Sequence, residues 1–129
     1  MGGKDELMYQ LHNFGPIGEV PVTLFAFQVE GKLGALIARF SSDHFGTLFA
    51  ILKERYGNPT NEDIREWKSR AGATFPNRIA RWMGKTISIG LDERGSKIDQ
   101  GVLSYETVYM REYTEAKKKQ SVKKGASDL

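Results

Sequence analysis

The chain has 129 residues, 40% of them hydrophobic and 27% charged, with a formal net charge of +3. This profile fits one globular domain and excludes a disordered chain. There is no cysteine, which excludes disulfide frameworks, thiolate metal sites and cysteine nucleophiles.

No apolar run approaches the ~20 residues a membrane helix needs. The opening Met1-Gly2-Gly3 reads as an added start, so upstream sequence carrying the compartment signal is expected to be missing. Residues 7–14 suit a short strand, broken by Gly15-Pro16 and Gly18. Val20 to Val29 is β-branched and aromatic, which argues strand, with Pro21 at its start or on an edge. Glu30-Gly31-Lys32 is a turn and Leu33 to Phe40 the return, so residues 20–40 form a hairpin. A helix follows over 43–56. Ser41 or Ser42 is expected to cap it, with Asp43 at the positive dipole end. Phe45, Leu48, Phe49, Leu52 and Tyr56 share one helical face. Gly57 and Pro59 then stop it.

Residues 60–78 support two readings. Ile64 to Arg70 alternates weakly as a strand, whereas Thr60 to Asp63 would cap a short helix; the strand is favoured. Gly72 to Asn77 reads as loop, Ile79 to Met83 as strand and Gly84-Lys85 as turn. Thr86 to Asp92 is a strand of period two. Gly95 to Gly101 reads as a polar loop, Val102 to Tyr109 as the last strand and 110–124 as a helix.

The expected fold is α+β: an antiparallel sheet of about five to seven strands, with one amphipathic helix (about 42–56) on one face and a C-terminal helix. Residues 1–111 form one domain. Residues 112–129 form a basic tail, whose five lysines oppose two glutamates and one aspartate. The expected core holds Leu24, Phe25, Phe27, Leu36, Phe45, Leu48, Phe49, Leu52, Tyr56, Ile87 and Ile89. Strand 20–29 is apolar on both faces. One face takes the helix; the other needs the C-terminal helix, missing N-terminal sequence or a partner chain.

Motifs for chemistry are sparse. His12 and His44 are the only histidines, and a metal site usually needs three or four ligands. Glu62, Asp63 and Glu66, and separately Asp92 and Glu93, cluster in polar stretches, whereas catalytic carboxylates need burial. No phosphate-binding glycine motif and no nucleophile elbow is present. No cofactor is implied. Trp67 and Trp82, beside Arg78 and Arg81, could stack a base or sugar, though large aromatics more often build cores. Lys117, Lys118, Lys119, Lys123 and Lys124 could meet phosphates, though basic ends are more often only solvated.

Several motifs resemble a loosely defined group of small exported bacterial proteins without assigned activity. These are Tyr56-Gly57-Asn58-Pro59, Arg70-Ala71-Gly72-Ala73-Thr74-Phe75, Asn77 with Trp82, Gly95-Ser96-Lys97-Ile98-Asp99 and Ser127-Asp128-Leu129. The resemblance covers roughly residues 17–129. It implies a periplasmic or envelope location, with the cytoplasm as the alternative, and an α+β fold. It implies no reaction.

The leading expectation is a non-catalytic binding or accessory domain of the bacterial envelope, acting through protein–protein contacts with an envelope protein or a second copy. The alternative is binding of nucleic acid or an anionic surface through the lysine tail with Trp67, Arg78, Arg81 and Trp82; of these two ligands, nucleic acid is the less expected. An enzyme, the third reading, requires a concave pocket holding at least two of His12, His44, Glu62, Asp63 and Glu66.

Overall fold

The computed structural model describes residues 6–11 and 15–128. His12 and the end of the strand expected over 7–14 lie outside the described residues. Strands β1 (Glu6–Leu11), β2 (Thr23–Val29) and β3 (Lys32–Ser41) form one antiparallel meander. A short 3-10 turn, Ser42–His44, leads into α1 (Phe45–Tyr56). Strands β4 (Asn61–Lys68), β5 (Thr74–Met83), β6 (Ile87–Lys97) and β7 (Gln100–Thr107) form a second meander, and α2 (Val108–Ser127) closes the described chain. The second meander runs back so that β7 pairs with β3, giving one seven-stranded sheet of order β1-β2-β3-β7-β6-β5-β4. The protein is therefore α+β, with an all-antiparallel sheet.

Helix α1 must carry the chain from central β3 to the far edge at β4, so it crosses one face. It turns Phe45, Leu48 and Leu52 onto that face, against Leu24, Ala38, Phe40, Ala80, Trp82, Ile89, Leu91 and Leu103. Val20, from the segment before β2, is buried with them, and half-buried Leu36 and Phe49 border the cluster. On the opposite face Phe25 and Phe27 are half-buried. Only the first turns of α2 reach that side, where Arg111 donates to the Gly84 carbonyl at 3.4 Å and to Ser88 at 3.3 Å. From Thr114 onward α2 is exposed.

Two local devices set this geometry. Glu30 (φ 49°) and Gly31 (φ 78°) both adopt positive φ at the β2–β3 turn, which matches the twist of the flanking strands. The register then slips by one residue: Phe27 faces Ala35, but Gln28 faces Leu33. The extra residue is Gly34. A Cβ there would lie 2.8 Å from Met110 Cε and 3.2 Å from Val29. The missing side chain lets the first turns of α2 settle on the bulge.

Several expectations need correction. Neither Ser41 nor Ser42 caps α1 through its side chain; the Ser42 N–H instead donates to the Asp99 carbonyl at 2.9 Å. Tyr56 and Ile87, expected in the core, are 45% and 47% exposed. Tyr56 ends α1, and Ile87 opens β6 beside the Gly84 turn, where α1 does not roof the sheet. Strand β5 starts at Thr74, inside the stretch expected as loop. Pro76 lies opposite Glu66 of β4, but pairing with β6 begins only at Ile79, so no ladder on the β6 side needs its missing N–H. The expected polar loop 95–101 is mostly strand, with β6 reaching Lys97 and β7 starting at Gln100.

Candidate functional site

The aromatic and arginine residues singled out above are divided by the sheet. Period-two alternation puts Arg78 and Trp82 on the α1 side, and Trp67 and Arg81 on the other. Trp82 is buried against Phe49, ring centroids 5.9 Å apart, and its indole N–H donates to the Gly57 carbonyl at 2.9 Å. Trp67 packs on Phe75 and donates to the Gly95 carbonyl at 2.9 Å. Arg81 is paired with Asp92 at 2.6 Å. Arg78 is paired with Glu93 at 2.9 Å and lies over the Phe45 ring. Burial raises the Glu93 pKa, but hydrogen bonds and charge from Arg78, with Arg94 beyond, outweigh it and hold the carboxyl below its ordinary value. Lys117, Lys118 and Lys119 sit on the exposed half of α2, a helix packed chiefly on β3, β7 and β2. The structure does not gather these residues into one surface.

Two grooves flank α1 on its face of the sheet. The first, about 400 Å³, lies between α1 and the β4–β5 edge and is lined by Phe45, Phe49, Glu62, Asp63, Ile64 and Arg78. It brings together Glu62 and Asp63, which meets the pocket requirement stated for an enzyme, without His44 or Glu66. The Asp63 carboxylate is engaged locally, accepting from the Ile64 N–H at 2.8 Å and Arg65 at 3.2 Å. Among the described residues no three His, Asp or Glu side chains are grouped to hold a metal ion.

The second groove, about 310 Å³, lies on the β1–β2 side and is lined by Leu11, Ile17, Leu24, Leu36, Ala38, Leu103 and Tyr105. Apart from Tyr105 its lining side chains are aliphatic. Burial, reinforced by a hydrogen bond with the Tyr56 hydroxyl, pushes the Tyr105 pKa from 10.0 up to about 12. The folded protein therefore holds a proton that the unfolded chain releases near pH 10. Stability drawn from this group is fully present below pH 10 and declines as pH rises from 10 toward 12. Phenolate absorbance should include a step near pH 12, and Tyr105→Phe should remove it. Absence of any step near pH 12 would contradict the buried setting.

Beside this groove runs the sheet edge formed by β1 (Glu6-Leu7-Met8-Tyr9-Gln10-Leu11). Leu7, Tyr9 and Leu11 share the α1 side, because Tyr9 and Leu11 pair with Ala26 and Leu24. Leu7, Met8, Tyr9 and Leu11 are 48%, 62%, 46% and 39% exposed. An edge strand presents unpaired N–H and C=O groups, and proteins usually guard it with charge, proline or a bulge. The opposite edge is guarded: β4 carries Glu62, Asp63, Arg65, Glu66 and Lys68. β1 has no charge after Glu6, no proline, and an unbroken register with β2. In sequence this stretch reads only as a strand. Its lack of charge from Leu7 to Leu11 was the available signal, but only the sheet order makes it an edge.

No family model matches the chain, and neither the curated proteins nor the solved structures provide a significant match. Among the described residues no helix is long and apolar enough to cross a membrane.

Proposed function

We propose that this chain is a non-catalytic binding domain acting through protein–protein contacts, and that its contact surface is the β1 edge together with the apolar groove beside it. The observation that carries the reading is the asymmetry of the two edges: β4 is charged, whereas β1 is apolar and exposed. A partner strand added to β1 gains main-chain hydrogen bonds along the edge, and alternate side chains gain pockets. Here the pocket is the groove at Leu11, Leu24, Leu36 and Tyr105. The cognate partner is thus an extended segment with apolar side chains at every second position. The bacterial envelope is the setting implied by the family resemblance.

The test uses a fluorescent peptide of alternating leucine and threonine. Anisotropy should show saturable binding, and hydrogen exchange should slow in residues 6–11. Leu11→Lys should weaken binding by about tenfold, which corresponds to ~1.4 kcal/mol, while Ile64→Lys on the guarded edge should leave it unchanged. Absence of binding, or protection only elsewhere, would refute the reading.

One observation favours a second, ancillary reading. The exposed half of α2 presents Lys117, Lys118, Lys119, Lys123 and Lys124 on an unpacked helix, which suits an anionic surface. Its mark is sedimentation with anionic vesicles that collapses with salt.

A further inference from the structure

We infer that the segment received by β1 is the β1 strand of a second copy, the two pairing antiparallel about a two-fold axis through Tyr9. This rests on the binding-domain reading and names its partner. A two-fold perpendicular to the sheet keeps α1 of both copies on the same side. Residues that oppose one another must then share a face, so the axis passes through a residue and not between two. With Tyr9 on the axis, Leu7 of each copy faces Leu11 of the other, and Met8 faces Gln10. All of these lie within the described strand.

Three observations select this occupant. The strand is self-complementary in charge, because residues 7–11 carry none and no like charges meet across the axis. A β4–β4 contact would instead confront two densely charged rims, where like charges directly opposite are destabilising. The row Leu7, Tyr9, Leu11 also continues into the groove at Leu11 and Leu24. Pairing therefore extends one apolar surface across the junction, with Leu7 of one copy placed against the groove-lining Leu11 of the other. Five residues per side, 7–11, fall well short of the ~20–30 per partner of a standard-size stable interface. The dimer is accordingly concentration-dependent, dissociating on dilution.

The absence of native cysteine allows a direct register test on the full chain. Opposed residues in an antiparallel pair have Cα atoms roughly 4.5–5.5 Å apart, within disulfide range. Tyr9→Cys should therefore cross-link to a dimer under mild oxidation. Leu7→Cys alone should not, since its two copies would stand four residues apart, roughly 13 Å. A mixture of Leu7→Cys with Leu11→Cys should cross-link as the mixed pair. Sedimentation of the unmodified protein should show a monomer–dimer equilibrium that Tyr9→Lys abolishes, which keeps the test valid should a cysteine variant misfold. A protein that stays monomeric at millimolar concentration and yields no Tyr9→Cys cross-link above an Ile64→Cys control overturns the self-pairing. If the leucine–threonine peptide still protects residues 6–11, only the identity of the partner has failed; if it does not, the binding-domain reading falls as well.

Discussion

Trp82→Ala should cost about 3–5 kcal/mol of folding stability, the range for removing a buried large aromatic. That is a large part of the ~5–15 kcal/mol a domain of this kind possesses. Trp82 is 6% exposed and sits where β5 meets α1. Its ring packs on Phe49, which stacks in turn on Phe45 at 6.0 Å. Its N–H ties β5 to Gly57, the residue that ends α1. Truncation therefore opens a cavity under the helix and releases the helix end together. Trp67→Ala serves as the comparison, because Trp67 is only half-buried and lies away from α1. Urea unfolding should show the Trp82 variant with much the lower midpoint. Equal midpoints for the two variants would mean that α1 is not held through Trp82.

Gly101→Ala should destabilise by about 3 kcal/mol, the upper end of the range for overpacking. Gly101 lies in β7 directly opposite Phe40 of β3. A Cβ at 101 would run into the Phe40 ring and come within 2.8 Å of the Asp92 carbonyl oxygen. Phe40 is 3% exposed and enclosed in the core, so it has no free direction in which to retreat. The Asp92 carbonyl belongs to the sheet backbone and cannot move without disturbing the ladder. Adding Phe40→Leu should recover part of the loss, because residues in contact couple. Strict additivity of the two substitutions in denaturant melts would show that the ring is not the obstacle.

These two sites also show what a linear reading can detect. The α1 face was legible because Phe45, Leu48 and Leu52 recur at helical spacing, and every one of them is buried. The 20–40 hairpin was legible from its turn glycine and β-branched flanks. Strand β4 was legible only weakly: the alternation from Ile64 favoured a strand, but the charged stretch before it also suited a helix cap, so its start at Asn61 was missed. The start of β5 was hidden by Gly72 and Pro76, residues that ordinarily mark a loop. Grouping Trp82 with Arg81 failed because neighbours in a strand point to opposite faces. The β1 edge was invisible for a different reason. Its position depends on β7 closing onto β3, a pairing between residues such as Ala35 and Glu106, and no local pattern records contacts so distant in sequence. The groove at Tyr105 depends on the same closure.

The charged rim at β4 has a consequence for how far assembly can proceed. A strand open at both margins is a seed for endless growth. In this chain only the β1 margin lacks charged guards among the described residues, and joining two copies there, as proposed, would consume it in both. What then faces outward at each end is Glu62, Asp63, Arg65, Glu66 and Lys68, a terminus that accepts no further strand. On the proposed self-pairing, growth would stop at a pair, because each outer margin would be a charged strand.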